Sequence, residues 1–222
     1  MKKTLLLLLF TAPICAFAQP KIKAGTNISS LRGSTTTKYD SGVGTHTDYS
    51  ESTKPKFGFY VGLGYQLNFL EKFSITPELI YGQMGAKGDK YAGNIKRSYF
   101  HNHLSLPVFF EYKLIDNLKI GVGPQLDYLL KARYENEYAN IPENNKYTLN
   151  KEGTNTGFYN RINYGLIAGA SYDLTDNISI EARYYLGLSN LHKEENLPEV
   201  SGLTATSEMK TSAIQIGAAY KF

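Results

Sequence analysis

The residues with the most reactive chemistry lie together near the middle of the chain. His101, His103 and Ser105 occupy alternate positions, and Glu111 follows further along. Alternate residues of an extended strand point to the same face, so these side chains would share one surface. A serine beside an imidazole and a carboxylate is a residue set that nucleophilic catalysis can use. The two imidazoles could also bind a metal, but no third ligand is identified beside them.

The elements that position these residues are predicted to be β-strands. Most of the chain after residue 18 alternates with period two. Within 57–69, for example, the odd positions are apolar or aromatic, whereas the even positions are rich in glycine. No helical period competes with this pattern. Eight strand segments can be marked, at about 22–31, 57–69, 73–85, 99–114, 118–134, 158–174, 178–190 and 210–222.

The connections between these segments alternate in length. Three are short, at 70–72, 115–117 and 175–177, and two of these contain the turn-forming Asp-Asn pair. The other four are long and polar, at 32–56, 86–98, 135–157 and 191–209. This arrangement is typical of outer-membrane barrels. We predict an all-β fold: an eight-stranded antiparallel up-and-down transmembrane β-barrel with short periplasmic turns and long extracellular loops.

The two faces of the predicted strands differ sharply in charge. One face is apolar and carries no charged residue, which suits lipid contact because an Arg or Lys at the bilayer midplane costs roughly 2–4 kcal/mol. The other face carries most of the strand glycines, which would leave room for long side chains in a narrow lumen. A soluble barrel with the apolar face inside is the alternative. The predicted lumen charge network, structural in role, consists of Glu78, Glu111, Lys119, Asp127, Lys131, Arg133, Arg161, Asp173, Glu181 and Arg183.

Charges inside a barrel this narrow must be paired and hydrogen-bonded. Eight strands enclose a space that side chains can fill, so we expect a plug of salt bridges. An ion-selective pore is the alternative interpretation of the same charges.

The N-terminus has the pattern of an export signal. Lys2 and Lys3 precede an apolar stretch, and Ala16-Phe17-Ala18 forms a small-residue cleavage site. Cleavage after Ala18 would remove Cys15, the only cysteine, so we expect neither a disulfide nor a thiolate metal site. It would also lower the formal net charge of +4 by two, which does not favour nucleic acid as a partner.

Two neighbouring strand segments carry a family-like pattern. Residues 104–112 have the sequence LSLPVFFEY, and residues 120–130 have the sequence IGVGPQLDYLL. They resemble the “IPLLLKY” and “GxGPYxGYLL” patterns of the PorT-like family of outer-membrane β-barrels, and residues 23–29, 164–170 and 180–191 resemble its first and closing strands. The resemblance covers almost the whole exported chain and implies an outer-membrane barrel. PorT itself is tied to a protein secretion system, but these motifs are architectural and carry no such role over.

The histidine and serine group also resembles a known motif. His103, Ser105 and Glu111 are similar to the motif of lipid A deacylase barrels, in which histidine would act as base, serine as nucleophile and glutamate would orient the histidine. By their alternation these residues face the lumen, away from any acyl chain, and the surrounding sequence lacks the deacylase pattern. We therefore expect no catalytic residue, no metal and no cofactor.

The long connections are the remaining functional surface. We predict a monomeric, non-enzymatic outer-membrane protein, surrounded by lipid, that has a structural role or binds a protein or surface ligand through loops 32–56 and 135–157. The alternatives are a narrow ion channel, a soluble periplasmic lipocalin-like binder and a lipid-modifying outer-membrane enzyme.

Overall fold

The described part of the protein is almost entirely β-structure. The computed structural model describes residues 18–39, 46–49, 53–91, 95–138, 152–193 and 203–222, and all of the predicted signal peptide 1–18 except Ala18 lies outside them. The strands are β1 (Ala18–Tyr39), β2 (His46–Tyr49), β3 (Thr53–Leu70), β4 (Phe73–Tyr91), β5 (Ile95–Ile115), β6 (Leu118–Tyr138), β7 (Glu152–Thr154), β8 (Ile162–Asp173), β9 (Ile178–Gly187) and β10 (Leu203–Lys221). A single 3₁₀ turn, Thr156–Phe158, lies between β7 and β8 in this part of the chain.

Eight of these strands pair in a closed ring. The order is β1, β3, β4, β5, β6, β8, β9 and β10, with every neighbouring pair antiparallel. The ring closes because β10 returns to β1, from Lys21↔Lys221 to Tyr39↔Leu203. The short strands β2 and β7 add to β1 and β6. The predicted all-β antiparallel class is confirmed, and each predicted segment overlaps one strand of the ring.

The strands extend further from the short turns than the sequence predicted. β4 continues to Tyr91 and β5 begins at Ile95. Only residues 92–94 separate them, so the prediction of a long connection over 86–98 was wrong. The hydrophobic alternation that marks a strand ends where the apolar wall ends. Backbone pairing continues beyond that point, because it satisfies N–H and C=O groups whatever the side chains are.

The apolar face of the ring points outward and the charged face points inward. Phe57 is 73% exposed and Val61 is 49% exposed, whereas Glu78 and Glu181 are only 4% and 3% exposed. Aromatic residues of the outer face, such as Phe222, stand exposed near the strand ends. The outside of the ring is therefore a nearly continuous apolar wall, and the charged face of the strands lies inside it.

Glycines of the inner face accept large aromatic side chains. A β-carbon at Gly25 would lie 2.7 Å from Cε1 of Tyr60, and one at Gly121 would lie 2.7 Å from Cε1 of Phe109. Tyr60 and Phe109 are 3% and 1% exposed, so both rings fill the interior. The glycine stripe thus makes room for aromatic rings as well as for charged side chains.

A β-bulge in β6 reverses which face its residues occupy. Asn102 pairs with Lys131 and His103 pairs with Leu129, which leaves Leu130 as the extra residue. Beyond the bulge, Ala132 is buried and Lys131 is exposed. The extra residue shifts the alternation by one position, so the predictions made by parity for the part of β6 after Leu130 are inverted.

Three residues of the predicted lumen network lie elsewhere. Lys131 is exposed and Arg133 is partly exposed on the outer side, because both follow the bulge. Arg161 lies before the start of β8, so the alternation of that strand does not extend to it, and its side chain is exposed. Its Nη1 donates hydrogen bonds to the carbonyl oxygens of Leu129 and Leu130, both at 3.0 Å. The prediction that these three cations line the lumen was wrong.

Candidate functional site

Four charged residues meet in the middle of the interior. Nζ of Lys23 lies 2.8 Å from Oε1 of Glu78 and 2.6 Å from Oε2 of Glu181. Arg183 donates from Nη1 to Oε2 of Glu78 at 2.7 Å and from Nη2 to Oε1 at 3.0 Å. Nη2 of Arg183 also lies 3.0 Å from Oε2 of Glu181. We call Lys23, Glu78, Glu181 and Arg183 the central charge cluster.

The central charge cluster crosses the lumen and balances its own charge. Its members come from β1, β4 and β9, and β4 and β9 lie two strands from β1 on opposite sides. All four side chains are at most 2% exposed. The ring of Phe109 lies 4.2 Å from the Arg183 guanidinium. Two acids and two bases balance in charge here, as burial of charge requires, and Oε1 of Glu181 is the one carboxylate oxygen of the cluster that is buried without a hydrogen-bond partner. The cluster fills the cross-section at this level.

The interior opens into a cavity at the end with the short turns. The cavity has a volume of about 330 Å³ and a polar lining that includes Lys72, Lys113 and Asp116. In it, Nζ of Lys119 lies 2.8 Å from Oδ2 of Asp173. These side chains are 11% and 18% exposed, so this pair is partly solvated.

Two further carboxylates of the interior are held by hydroxyl and amide donors. Glu111 accepts hydrogen bonds from Thr76 at 2.8 Å and from Ser171 at 3.4 Å. Asp127 accepts from Gln125 at 2.8 Å and from the Ser105 hydroxyl. Neither carboxylate forms an ion pair with a cation among the described residues.

The geometry does not join the histidine and serine group into a catalytic relay. Ser105 donates to Asp127, and Glu111 is engaged by Thr76 and Ser171. Both ring nitrogens of His101 and of His103 are buried without a hydrogen-bond partner. In the described ranges, no group of three or more His, Cys, Asp or Glu side chains could hold a metal ion.

The interior at the other end, near the long connections, is apolar. The ring of His101 packs 4.7 Å from that of Tyr159, which in turn packs 5.0 Å from His192. Burial lowers the pKa of His192, which lies beyond the end of β9, below its usual value. Around Tyr159 the buried residues that we call the loop-end core are Leu31, Ala86, Leu129, Ala132, Tyr159, Leu191 and Met209.

The structure thus places the seven predicted network residues that lie inside at several separate positions. Glu78, Glu181 and Arg183 meet in the central charge cluster, and Lys119 with Asp173 forms the partly solvated pair. Glu111 and Asp127 are buried at separate positions. The predicted network omitted two buried lysines of the lumen, Lys21 and Lys23, of which Lys23 belongs to the central charge cluster. Lys21 could have been found, because it continues the alternation that places Lys23 inside.

Family membership follows from the sequence match. Residues 17–193 match the family described as outer membrane protein beta-barrel domain. The chain belongs to this family of outer-membrane β-barrels. The match covers most of the chain and agrees with the closed antiparallel ring. The described residues contain no helix that is long and apolar enough to cross a membrane.

Solved structures give more distant similarities to this outer-membrane β-barrel. Neisserial surface protein A is 13% identical, with 92% of this chain and 99% of that chain covered and a TM-score of 0.49. Outer membrane protein OprG from Pseudomonas aeruginosa is 13% identical, with 92% and 96% covered and a TM-score of 0.47. Outer membrane protease OmpT from Escherichia coli is 10% identical, with 91% and 97% covered and a TM-score of 0.43. No protein with a curated description matches the chain in sequence.

Proposed function

We propose that this protein is a membrane-spanning, eight-stranded up-and-down barrel with a closed interior and no enzymatic activity. The observation that carries the proposal is the central charge cluster. Its four side chains are at most 2% exposed and link opposite walls of the ring. A sealed and internally paired interior favours a scaffold over a pore. The exposed apolar wall is suited to contact with lipid, because so large an apolar surface is unusual on a protein that is surrounded by water.

We infer that the long connections carry the function, which is structural or is the binding of a protein or surface ligand. In this proposal the segments 32–56 and 135–157, which include the ends of the flanking strands and the short strands β2 and β7, are extracellular, while the short turns and both termini are periplasmic. The two ends of the barrel segment lie together, since the Phe222 N–H donates to the Pro20 carbonyl oxygen at 3.1 Å. The signal peptide would be removed after Ala18, and the protein would act as a monomer. The PorT-like assignment stays a prediction that rests on the two strand motifs.

Membrane insertion is tested by heat-modifiability combined with fractionation. The unheated protein should pellet with outer membranes and migrate differently from heated protein, because a closed sheet resists detergent until it is heated. A soluble protein that shows no shift would contradict the proposal and would favour a ligand-binding barrel in the periplasm.

A closed interior is tested by planar-bilayer recording of the same refolded protein. We expect no discrete conductance from the unaltered protein. The double variant Lys23→Ala with Glu181→Ala removes one base and one acid of the central charge cluster, and we expect it to show only small or transient currents. Steady single-channel currents through the unaltered protein would contradict the scaffold role and would favour the narrow channel.

A variant with residues 139–150 replaced by a short Gly-Ser linker should keep the heat shift and lose any partner that cross-links to the intact protein on cells.

A further inference from the structure

A basic pocket lies on the outer face of the barrel, at the end away from the short turns. It has a volume of about 160 Å³ and is lined by Gln83, Phe100, Asn102, Lys131 and Arg133. The pairings Gln83↔Asn102 and Asn102↔Lys131 form one row across β4, β5 and β6. The pairing Phe100↔Arg133 forms the next row. The pocket exists because the Leu130 bulge turns two cations outward.

The pocket has a surplus of positive charge. Lys131 has no ion-pair partner among the described residues, whereas Arg133 shares one contact with Glu135, from Nη2 to Oε1 at 3.1 Å. The ammonium group of Lys56 lies 3.3 Å from the centre of the Phe100 ring, and the Arg133 guanidinium lies 4.7 Å from the same ring. Two cations therefore lie over the Phe100 ring, and among the described residues Glu135 is the one carboxylate that forms an ion pair with either of them.

The pocket also offers neutral hydrogen-bond donors. Nε2 of Gln83 donates to Oδ1 of Asn102 at 3.2 Å. This bond fixes the orientation of the Asn102 amide and leaves its NH₂ group without a protein partner among the described residues. An ammonium, a guanidinium and an amide NH₂ together suit an oxyanion with several acceptor oxygens, such as a phosphate group.

The position of the pocket indicates where that phosphate comes from. On β6 the outward residues Leu126, Tyr128 and Leu130 form the exposed apolar wall, and Lys131 follows directly. On β8 the exposed Ile162 ends the wall, and the exposed Arg161 precedes it. The cations thus begin where the apolar wall ends, at the level of lipid headgroups, and they face the lipid.

We propose that this pocket binds the phosphate group of an anionic lipid in the leaflet on the side of the long connections. The inference rests on the proposed membrane-spanning function. A phosphate at the end of the apolar wall would contact Lys131 and Arg133, while the acyl chains of the same lipid would lie along Leu130 and its neighbours. A basic surface near a membrane attracts anionic headgroups by charge, and the donors of the pocket add direct hydrogen bonds.

The test measures lipid binding to the refolded barrel by native mass spectrometry in neutral detergent. The probes are a phosphorylated lipid A, the same glycolipid without its phosphates, and inorganic phosphate. The pocket variant is Lys131→Gln with Arg133→Gln. The control variant, Lys72→Gln with Lys113→Gln, removes the same charge at the short-turn end.

We expect the unaltered protein and the control variant to retain phosphorylated lipid, and the pocket variant to bind it about tenfold more weakly, because two charge-assisted contacts are lost. Equal binding of the dephosphorylated lipid, or equal weakening in both variants, would overturn the proposal. Inorganic phosphate that displaces the lipid at equal concentration would show a free anion to be the ligand and would also overturn it.

Each sample is first checked for its heat shift. A missing shift in the unaltered protein counts against the proposed function, whereas a normal shift with unchanged lipid binding counts against the pocket alone.

Discussion

The middle and the loop end of the barrel interior are filled in opposite ways. In the middle, Lys23, Glu78, Glu181 and Arg183 exclude water by pairing with one another. At the loop end, the loop-end core fills the same lumen with apolar side chains, and Tyr159 is supplied from outside the strands. One closed sheet therefore contains both a salt-bridge core and a hydrophobic core.

This difference bears on how each region responds to substitution. A buried ion pair is stable only while both partners are present, because a single remaining charge has lost its water as well as its partner. An apolar core loses only the contacts of the atoms removed, plus the cost of any cavity. Substitutions of similar size should therefore be more damaging in the middle than at the loop end.

The largest effect is expected from Glu78→Gln in the central charge cluster. The amide keeps the shape of the side chain but leaves Lys23 and Arg183 with one acid between them, which should lower the free energy of unfolding by about 3–5 kcal/mol. Urea titration in detergent, followed by the gel shift, measures this loss. Glu71→Gln in the exposed turn is the control. Equal urea midpoints for both variants would mean that the cluster does not stabilise the barrel.

A smaller loss is expected from Leu129→Ala in the loop-end core. Leu129 is fully buried, so truncation should cost about 2–4 kcal/mol. The same urea titration applies, with Leu130→Ala as the neighbouring control because Leu130 faces outward. A larger loss of stability for Leu130→Ala than for Leu129→Ala would mean that Leu130 points into the interior, which would contradict the bulge at Leu130.

Lys119→Gln should have a smaller effect still. Its pair with Asp173 is partly solvated, and the lost attraction should amount to about 1 kcal/mol. Raising the salt concentration should lower the stability of the unaltered protein and narrow this gap, since a solvated pair is screened. A loss as large as that of Glu78→Gln would erase the distinction between the middle of the interior and its short-turn end.

The smallest effect on stability, and the sharpest test of the bulge, comes from single cysteines. In the chain expressed from Gln19, Lys131→Cys should react with a bulky water-soluble maleimide in the folded state, whereas Ala132→Cys should react only after heating. The mass increase after each treatment measures this. The reverse order of reactivity would restore the parity predicted from the sequence.

Much of the architecture could be predicted from the sequence, because period-two alternation records which residues meet apolar surroundings. The absence of charge on one face, together with the glycines on the other, was enough to predict that Phe57 points outward and Glu78 inward. The partners of Glu78 could not be predicted, because Lys23 and Arg183 are brought to it by closure of the ring and not by local spacing.

The bulge marks the limit of that reasoning. A single extra residue inverts the faces of the residues that follow it in the same strand, and propensity gives no sign of where it will fall. One clue was present: Leu129 is apolar at a position that the alternation assigns to the polar face. Arg161 and Tyr159 were missed for another reason, since both precede β8, where the assumption of a continuous strand does not hold.

Closure of the ring has a consequence for biosynthesis. Ile22 pairs with Tyr220, so the first strand to be made finds one of its two neighbours only when the last strand has been completed. Until then, β1 presents an unpaired edge that can template aggregation, and lipid offers its backbone groups no alternative partner. Pairings this distant in sequence also slow folding. A chain that ends before β10 therefore cannot close the ring. The protein must be kept unfolded until all of its strands are available for insertion.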